Sequence, residues 1–207
     1  MSKILVTGGA GYIGAHTVGL LIRRGFDPIV VDDLSRGHRH NVDARRLHVL
    51  NIRDTEALSR LMAAEGIQAV VHFAAFIAVG ESAKEPELYF SNNIGGSLSL
   101  FAAMQRAGVS RLVFSSTAAV YGAPAQTPIC EDTPIAPESP YGESKAAVER
   151  ILASLDRFRG LRSISLRYFN ACGADTEAGL GEEHDPETHL ISASSSPYSL
   201  PATSPSR

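Results

Sequence analysis

Short β-branched apolar runs alternate with longer stretches of helical period from the first residues of the chain. Lys3–Thr7 (KILVT) predicts a buried strand. Residues 12–24 follow, with Ile13, Thr17, Leu20, Leu21 and Arg24 at helical spacing, and Gly25 stops them. Further strands are predicted at 28–32 (PIVVD), 46–50, 69–73 (AVVHF), 111–115 (RLVFS) and 163–167. Between them fall a helix capped by Asp54 and running to about Glu65, a long helix over 86–107, and a helix over 141–159. Strands separated by helix-length segments make βαβ units, which stack into a parallel sheet buried on both faces. The fold class is therefore α/β: a doubly wound, Rossmann-like parallel sheet with helices on both faces. Ligands in such folds bind outside the carboxyl ends of the strands, near the point where the strand order reverses.

The region after the first strand carries chemistry. Thr7-Gly8-Gly9-Ala10-Gly11-Tyr12-Ile13-Gly14 puts glycines at 8, 11 and 14, between a strand and a helix. Gly8 permits a tight turn, Gly11 lets backbone approach a pyrophosphate, and Gly14 allows close helix–strand packing. The helix start adds free N–H groups and a partial positive charge. Asp32 lies 18 residues beyond Gly14, at the end of the second strand, where a carboxylate bonds an adenine-ribose hydroxyl. Asp32 and Asp33 together repel a 2′-phosphate and favour NAD over NADP, while nearby Arg36 tempers that preference.

Composition narrows the field. The 207 residues hold 19 Lys and Arg against 22 Asp and Glu, a net charge of −3 without the basic stripe of a nucleic-acid binder. Cys130 and Cys172 form no C-x-x-C pair, which argues for a reducing, cytoplasmic setting rather than a disulfide framework. No run is long and apolar enough to span a membrane, and the N-terminal run is too short for a signal peptide. Residues 192–207 (SASSSPYSLPATSPSR) hold seven Ser and three Pro, a low-complexity composition expected to be disordered.

A second constellation lies downstream. Tyr141 and Lys145, four apart, share one helical face. A free phenol titrates near pH 10, so a neighbouring ammonium, together with a positive nicotinamide, is needed to make Tyr141 a useful base. Ser115-Ser116-Thr117 follows the fifth strand and offers hydroxyls for a substrate oxygen.

The segments VTGGAGYIG, VVDDLSRG, HFAAFIAVGES, NNIGGSLSL, FSSTAAVYG, SPYGESK, LRYFNACGA and GEEHDPETHLI span about residues 3–191. In these motifs the chain resembles the extended short-chain dehydrogenase/reductase superfamily and, within it, the UDP-glucose 4-epimerase family. Sugar-nucleotide dehydratases carry an acidic pair after the Thr, where Ala118 and Ala119 stand here. The resemblance implies NAD-dependent interconversion of UDP-glucose and UDP-galactose. Tyr141 would take the proton of the sugar 4-hydroxyl while hydride leaves C4 for NAD. The keto sugar would then turn and be reduced on its other face. Thr117 would bond the same oxygen, and Lys145 the nicotinamide ribose. The resemblance also implies that Tyr12, Ile13, Asn51, Ile52, Phe73, Ala74, Asn92 and Phe169 line the NAD site, and that Asn170 and His189 contact the UDP-sugar. A metal role for His184 and His189 fails for want of H-E-x-x-H or a third ligand.

Three departures stand out. Asn51 replaces an acid that contacts adenine, and Ile77 replaces a Lys often found in that loop. The similarity also stops at Leu190-Ile191, where the family continues into a sugar-nucleotide domain. The expected organisation is a cofactor domain over 1–175, the start of a substrate region over 176–191, and the tail. Two alternatives follow: an NAD-binding remnant without turnover, or another UDP-sugar modifier such as a uronate epimerase or decarboxylase. The resemblance also implies a homodimer.

Overall fold

Residues 1–183 are described in the computed structural model of the chain; His189 and the 192–207 tail lie outside the described residues. Six strands, β1 (Lys3–Thr7), β2 (Asp27–Asp32), β3 (Leu47–Val49), β4 (Ala69–His72), β5 (Arg111–Ser115) and β6 (Arg162–Leu166), form one sheet ordered β3-β2-β1-β4-β5-β6. Every neighbouring pair is parallel. The order reverses between the paired strands β1 and β4, and the glycine loop leaves the carboxyl end of β1 at this switch point.

Alternation along the strands decides which side each residue fills. Leu5, Ile29, Val31, Val70, Leu112 and Phe114 build the larger core with Leu58, Met62, Leu100, Met104, Val148 and Leu152. The last six come from α2 (Thr55–Glu65), α5 (Gly96–Arg106) and α6 (Pro140–Arg159). Ile4, Val6 and Val30 point the other way, onto Val18 of α1 (Tyr12–Arg23). On β6, Ile164 and Leu166 remain exposed.

Local chemistry explains the helix ends. Asp54 accepts from the Ala57 amide at 2.9 Å, and Gly66 closes α2 at φ +66°. Ser139 caps α6 through the Gly142 amide at 3.1 Å, with Pro140 as first helical residue and Gly160 at φ +68° beyond its end. Two elements differ from the sequence expectation. Helix α3 (Val79–Lys84) forms inside the segment read as a loop, because six residues around Gly80 are too few to show an apolar stripe. The helix expected over 86–107 is divided: α4 (Pro86–Tyr89), a π-helical turn over Phe90–Gly95, then α5. The wider turn lies beside Gly96, where a Cβ would meet Ile52 Cδ1 at 2.6 Å.

Leu98 and Leu100 share α5 but not its environment: the first is 47% exposed, the second fully buried. Leu100→Ala is expected to lower unfolding free energy by about 2–5 kcal/mol in denaturant titration. Leu98→Ala is expected to stay within about 0.5 kcal/mol.

Candidate functional site

Gly8 sits at φ +70°, and a Cβ there would lie 2.5 Å from the Ala74 nitrogen of the post-β4 segment. A Cβ on Gly14 would fall 2.2 Å from the Gly8 carbonyl oxygen. Both glycines are therefore demanded by the chain's own backbone. Gly11 is different. Its φ of −78° suits any residue, and a Cβ would meet only Gly8 O, at 3.4 Å. Neither strain nor packing requires glycine at 11, as expected if a bound group must approach the backbone. No side chain caps the first turn of α1, in contrast to α2 and α6. A pyrophosphate fits this cradle of backbone N–H groups.

Asp32 braces the same loop. It is buried, and its two oxygens accept from Ala10 N at 3.0 Å and Leu34 N at 2.9 Å. Burial raises its pKa, partly offset by these amide bonds. Asp33 is exposed and accepts from Ser35 and from Asn51 Nδ2, the latter at 2.9 Å. An acid at 51 would face Asp33 with like charge; the amide donates instead. Arg36, expected to temper the acidic pair, is engaged elsewhere. Its guanidinium bonds Glu81 on α3 at 2.8 Å and lies over the Phe76 ring, which draws it away.

The other cofactor positions divide. Tyr12 and Ile13 open α1, and Tyr12 donates its hydroxyl to Gly173 O at 2.6 Å. Phe73 and Ala74 follow β4, each half-buried on one side of the sheet. Ile52 is buried in the larger core, and Asn92 bonds Asn93 at 3.1 Å. Phe169 is 72% exposed and Asn170 is exposed. Cys130 and Cys172 are exposed and unpaired.

Tyr141 and Lys145 occupy the first two turns of α6 on one face, against the end of β5. Lys145 is buried, donates to Ser115 O at 2.8 Å, and stands 5.9 Å from the Tyr141 ring centre. Thr117, at the head of a 3-10 turn over Ala118–Tyr121, accepts from the Ala119 amide at 3.1 Å and stands close enough to the Tyr141 phenol to lower its pKa. The three predicted side chains therefore converge. Their ionisation differs from the expected pattern. Burial pushes Tyr141 up to about 12, against the lowering effect of Thr117, and Lys145 does not offset it. Burial also pulls Lys145 down to about 7. A lysine this desolvated, without an anion beside it, is only part-protonated near neutral pH.

Beneath them runs a buried polar web that spacing does not reveal. Thr7 Oγ1 and His72 Nδ1 are 2.7 Å apart, and His72 Nε2 and Ser97 Oγ 3.0 Å. Ser97 donates onward to Asn93 O, so His72 donates from Nε2 and Thr7 donates to Nδ1. Burial, with the Lys145 charge, lowers His72 to about 3 and keeps it neutral. Asn93 uses its whole amide: Nδ2 donates to Phe76 O and Ser144 Oγ, and Oδ1 accepts from Phe76 N and Asn92. The only sequence signal was polar residues inside an apolar helix.

Residues 4–197 match a family described as the NAD dependent epimerase/dehydratase family. A UDP-glucose 4-epimerase of Lacticaseibacillus casei is 50% identical over 189 residues, 91% of this chain and 57% of that protein. The chain thus spans under three-fifths of that relative's length. The solved UDP-glucose 4-epimerase of Brucella ovis in complex with NAD aligns with a TM-score of 0.90 at 44% identity, over 92% of this chain and 59% of the other. The Bifidobacterium longum enzyme in complex with NAD+ and UDP aligns at 0.83 and 36%, over 88% and 57%. Among the described residues, no helix is long and apolar enough to cross a membrane, and no group of three or more His, Cys, Asp or Glu could hold a metal.

With its folded pKa below 10.5, Lys145 binds fewer protons folded than unfolded between about pH 7 and 10.5. It opposes folding increasingly as pH falls through that window, and the opposition is relieved as pH rises. In 13Cε-lysine NMR of the folded chain, one resonance absent from Lys145→Met is expected to titrate near pH 7. Titration of that resonance near 10.5 would show Lys145 to be solvated.

Proposed function

The chain belongs to the NAD dependent epimerase/dehydratase family, and from that membership we propose that it interconverts UDP-glucose and UDP-galactose at C4 of the sugar. The observation that carries this reading is the convergence of Thr117, Tyr141 and Lys145 beyond the end of β5, two strands along the sheet from the glycine loop that follows β1. The relatives named UDP-glucose 4-epimerase support the choice of substrate.

Gly8, Gly11, Tyr12, Ile13 and Gly14 would hold the pyrophosphate of NAD, with Asp32 and Asp33 toward the adenine ribose. Asn51, Ile52, Phe73, Ala74, Asn92 and Phe169 would line the rest. When bound, NAD supplies a hydride acceptor, and later donor, together with a positive charge that favours the Tyr141 phenolate. Tyr141 removes the proton of the 4-hydroxyl and returns it after the sugar has presented its other face. Thr117 donates to the oxygen on which negative charge develops. Lys145 works protonated in this scheme: its cation holds down the phenolate, and its Ser115 anchor fixes where the cation stands. Asn170 and His189 would contact the UDP-sugar. Ala118 and Ala119 leave no acid to expel water, so the 4-keto sugar is returned rather than dehydrated. The reading carries with it a homodimer and a cytoplasmic setting.

Tyr141→Phe keeps the ring and removes the base. Purified chain is expected to hold NAD equally with either residue, while conversion of UDP-galactose falls at least about 100-fold in the variant. Bound NAD with no turnover in the unmodified chain would make it an NAD-binding unit only. Conversion of a UDP-uronate but not of UDP-galactose would reassign the substrate.

A further inference from the structure

Tyr141, Lys145 and Glu149 form one stripe on α6, each four residues from the next. The first two face the site; Glu149 meets the loop that carries the hydroxyls. Its carboxylate is buried, accepts the Ser116 hydroxyl, and is gripped by Arg167 through contacts of 2.6, 3.0 and 3.1 Å. Arg167 Nη1 also donates to the Tyr121 hydroxyl at 2.7 Å, and the guanidinium lies 5.0 Å from that ring centre. Arg167 therefore holds both ends of the loop: Ser116 through Glu149, and Tyr121 directly. Between these anchors stands Thr117.

The main chain repeats the arrangement. Ser116 N donates to Leu166 O at 3.0 Å and Ala118 N to Tyr168 O at 2.9 Å, so the residues flanking Thr117 pair with those flanking Arg167. A bidentate pair of this kind has fixed geometry, and replacing it needs more than one bond to reform. A buried ion pair contributes little net stability compared with well-packed apolar side chains, but it specifies a register. The register here is that of β5's outgoing loop against α6, which is the relation between Thr117 and Tyr141.

We propose that the Glu149–Arg167 pair is the positioning element of the proposed active site, holding Thr117 against the Tyr141 hydroxyl by way of Ser116 and Tyr121. The inference rests on the proposed roles of Thr117 and Tyr141, and adds Glu149, Arg167 and Ser116 as residues that act through them.

The test reads Tyr141 without turnover. The full chain labelled with 13Cζ-tyrosine gives resonances from six tyrosines, and Tyr141→Phe identifies the one of interest. Thr117→Val sets the displacement caused by losing the Thr117 hydroxyl beside Tyr141. Arg167→Met is expected to move the Tyr141 resonance in the same direction by at least half that amount. Because Arg167→Met strands a buried carboxylate and could unfold the chain, Ser116→Ala serves beside it: it leaves the ion pair and cuts one link to the loop. The same direction of shift is expected, with little further change in Ser116→Ala/Thr117→Val. Arg167→Lys, which keeps the charge, is expected to restore part of the wild-type position. A Tyr141 resonance that stays in place in Ser116→Ala and Arg167→Met, while Tm falls, would make the pair structural and overturn the proposal. Failure of the unmodified chain to convert UDP-galactose bears on the proposed reaction alone, since the resonance needs no substrate.

Discussion

How closely α1 can approach the end of β1 governs the geometry of the whole cleft. The missing Cβ at Gly14 lets the helix start within contact of the Gly8 carbonyl, where a methyl would sit 2.2 Å away. That approach aims the first turn of α1 at the carboxyl ends of β1 and β4, where the strand order reverses. Asp32, holding Ala10 N and Leu34 N, fixes the loop from the β2 side. Gly8, packed on Ala74, fixes it from the β4 side. The loop is thus held by backbone packing at Gly8 and Gly14 and by the Asp32 carboxylate between them.

The opposite wall of the cleft is set by burial of polar groups. Lys145 is held down to about 7 and His72 to about 3 by loss of solvent, while Tyr141 is held up to about 12. Tyr141 and His72 are thereby neutral and Lys145 is left part-protonated near neutral pH, each moved toward the uncharged form that low dielectric favours. The proposed reaction needs more charge at two of them, a protonated lysine beside a phenolate. A positive charge entering the cleft shifts Tyr141 in the required direction, which couples occupation of the cofactor site to activation of the base.

Much of the fold was legible because parallel strands write themselves as short apolar runs between helical stripes. The glycine loop, Asp32, Thr117, Tyr141 and Lys145 were legible because each follows a strand or shares a helix face, and position along the chain encodes both. Asn93, Ser97, His72, Glu149 and Arg167 were not. Their partners lie tens of residues away, as with Glu149 and Arg167 on α6 and beyond β6, and only the folded sheet brings them together. The upward push of burial on Tyr141 was not legible for a related reason. Spacing shows that Lys145 is near, but not that burial strips the lysine of much of its charge.

Gly11 tests the account most directly, since its lack of a side chain answers to no feature of the protein itself. NAD affinity and unfolding free energy should be measured together for the unmodified chain and Gly11→Ala. The account predicts unchanged stability, within about 1 kcal/mol, and loss of NAD binding. Wild-type NAD affinity in Gly11→Ala would contradict the assignment of this loop as the pyrophosphate cradle.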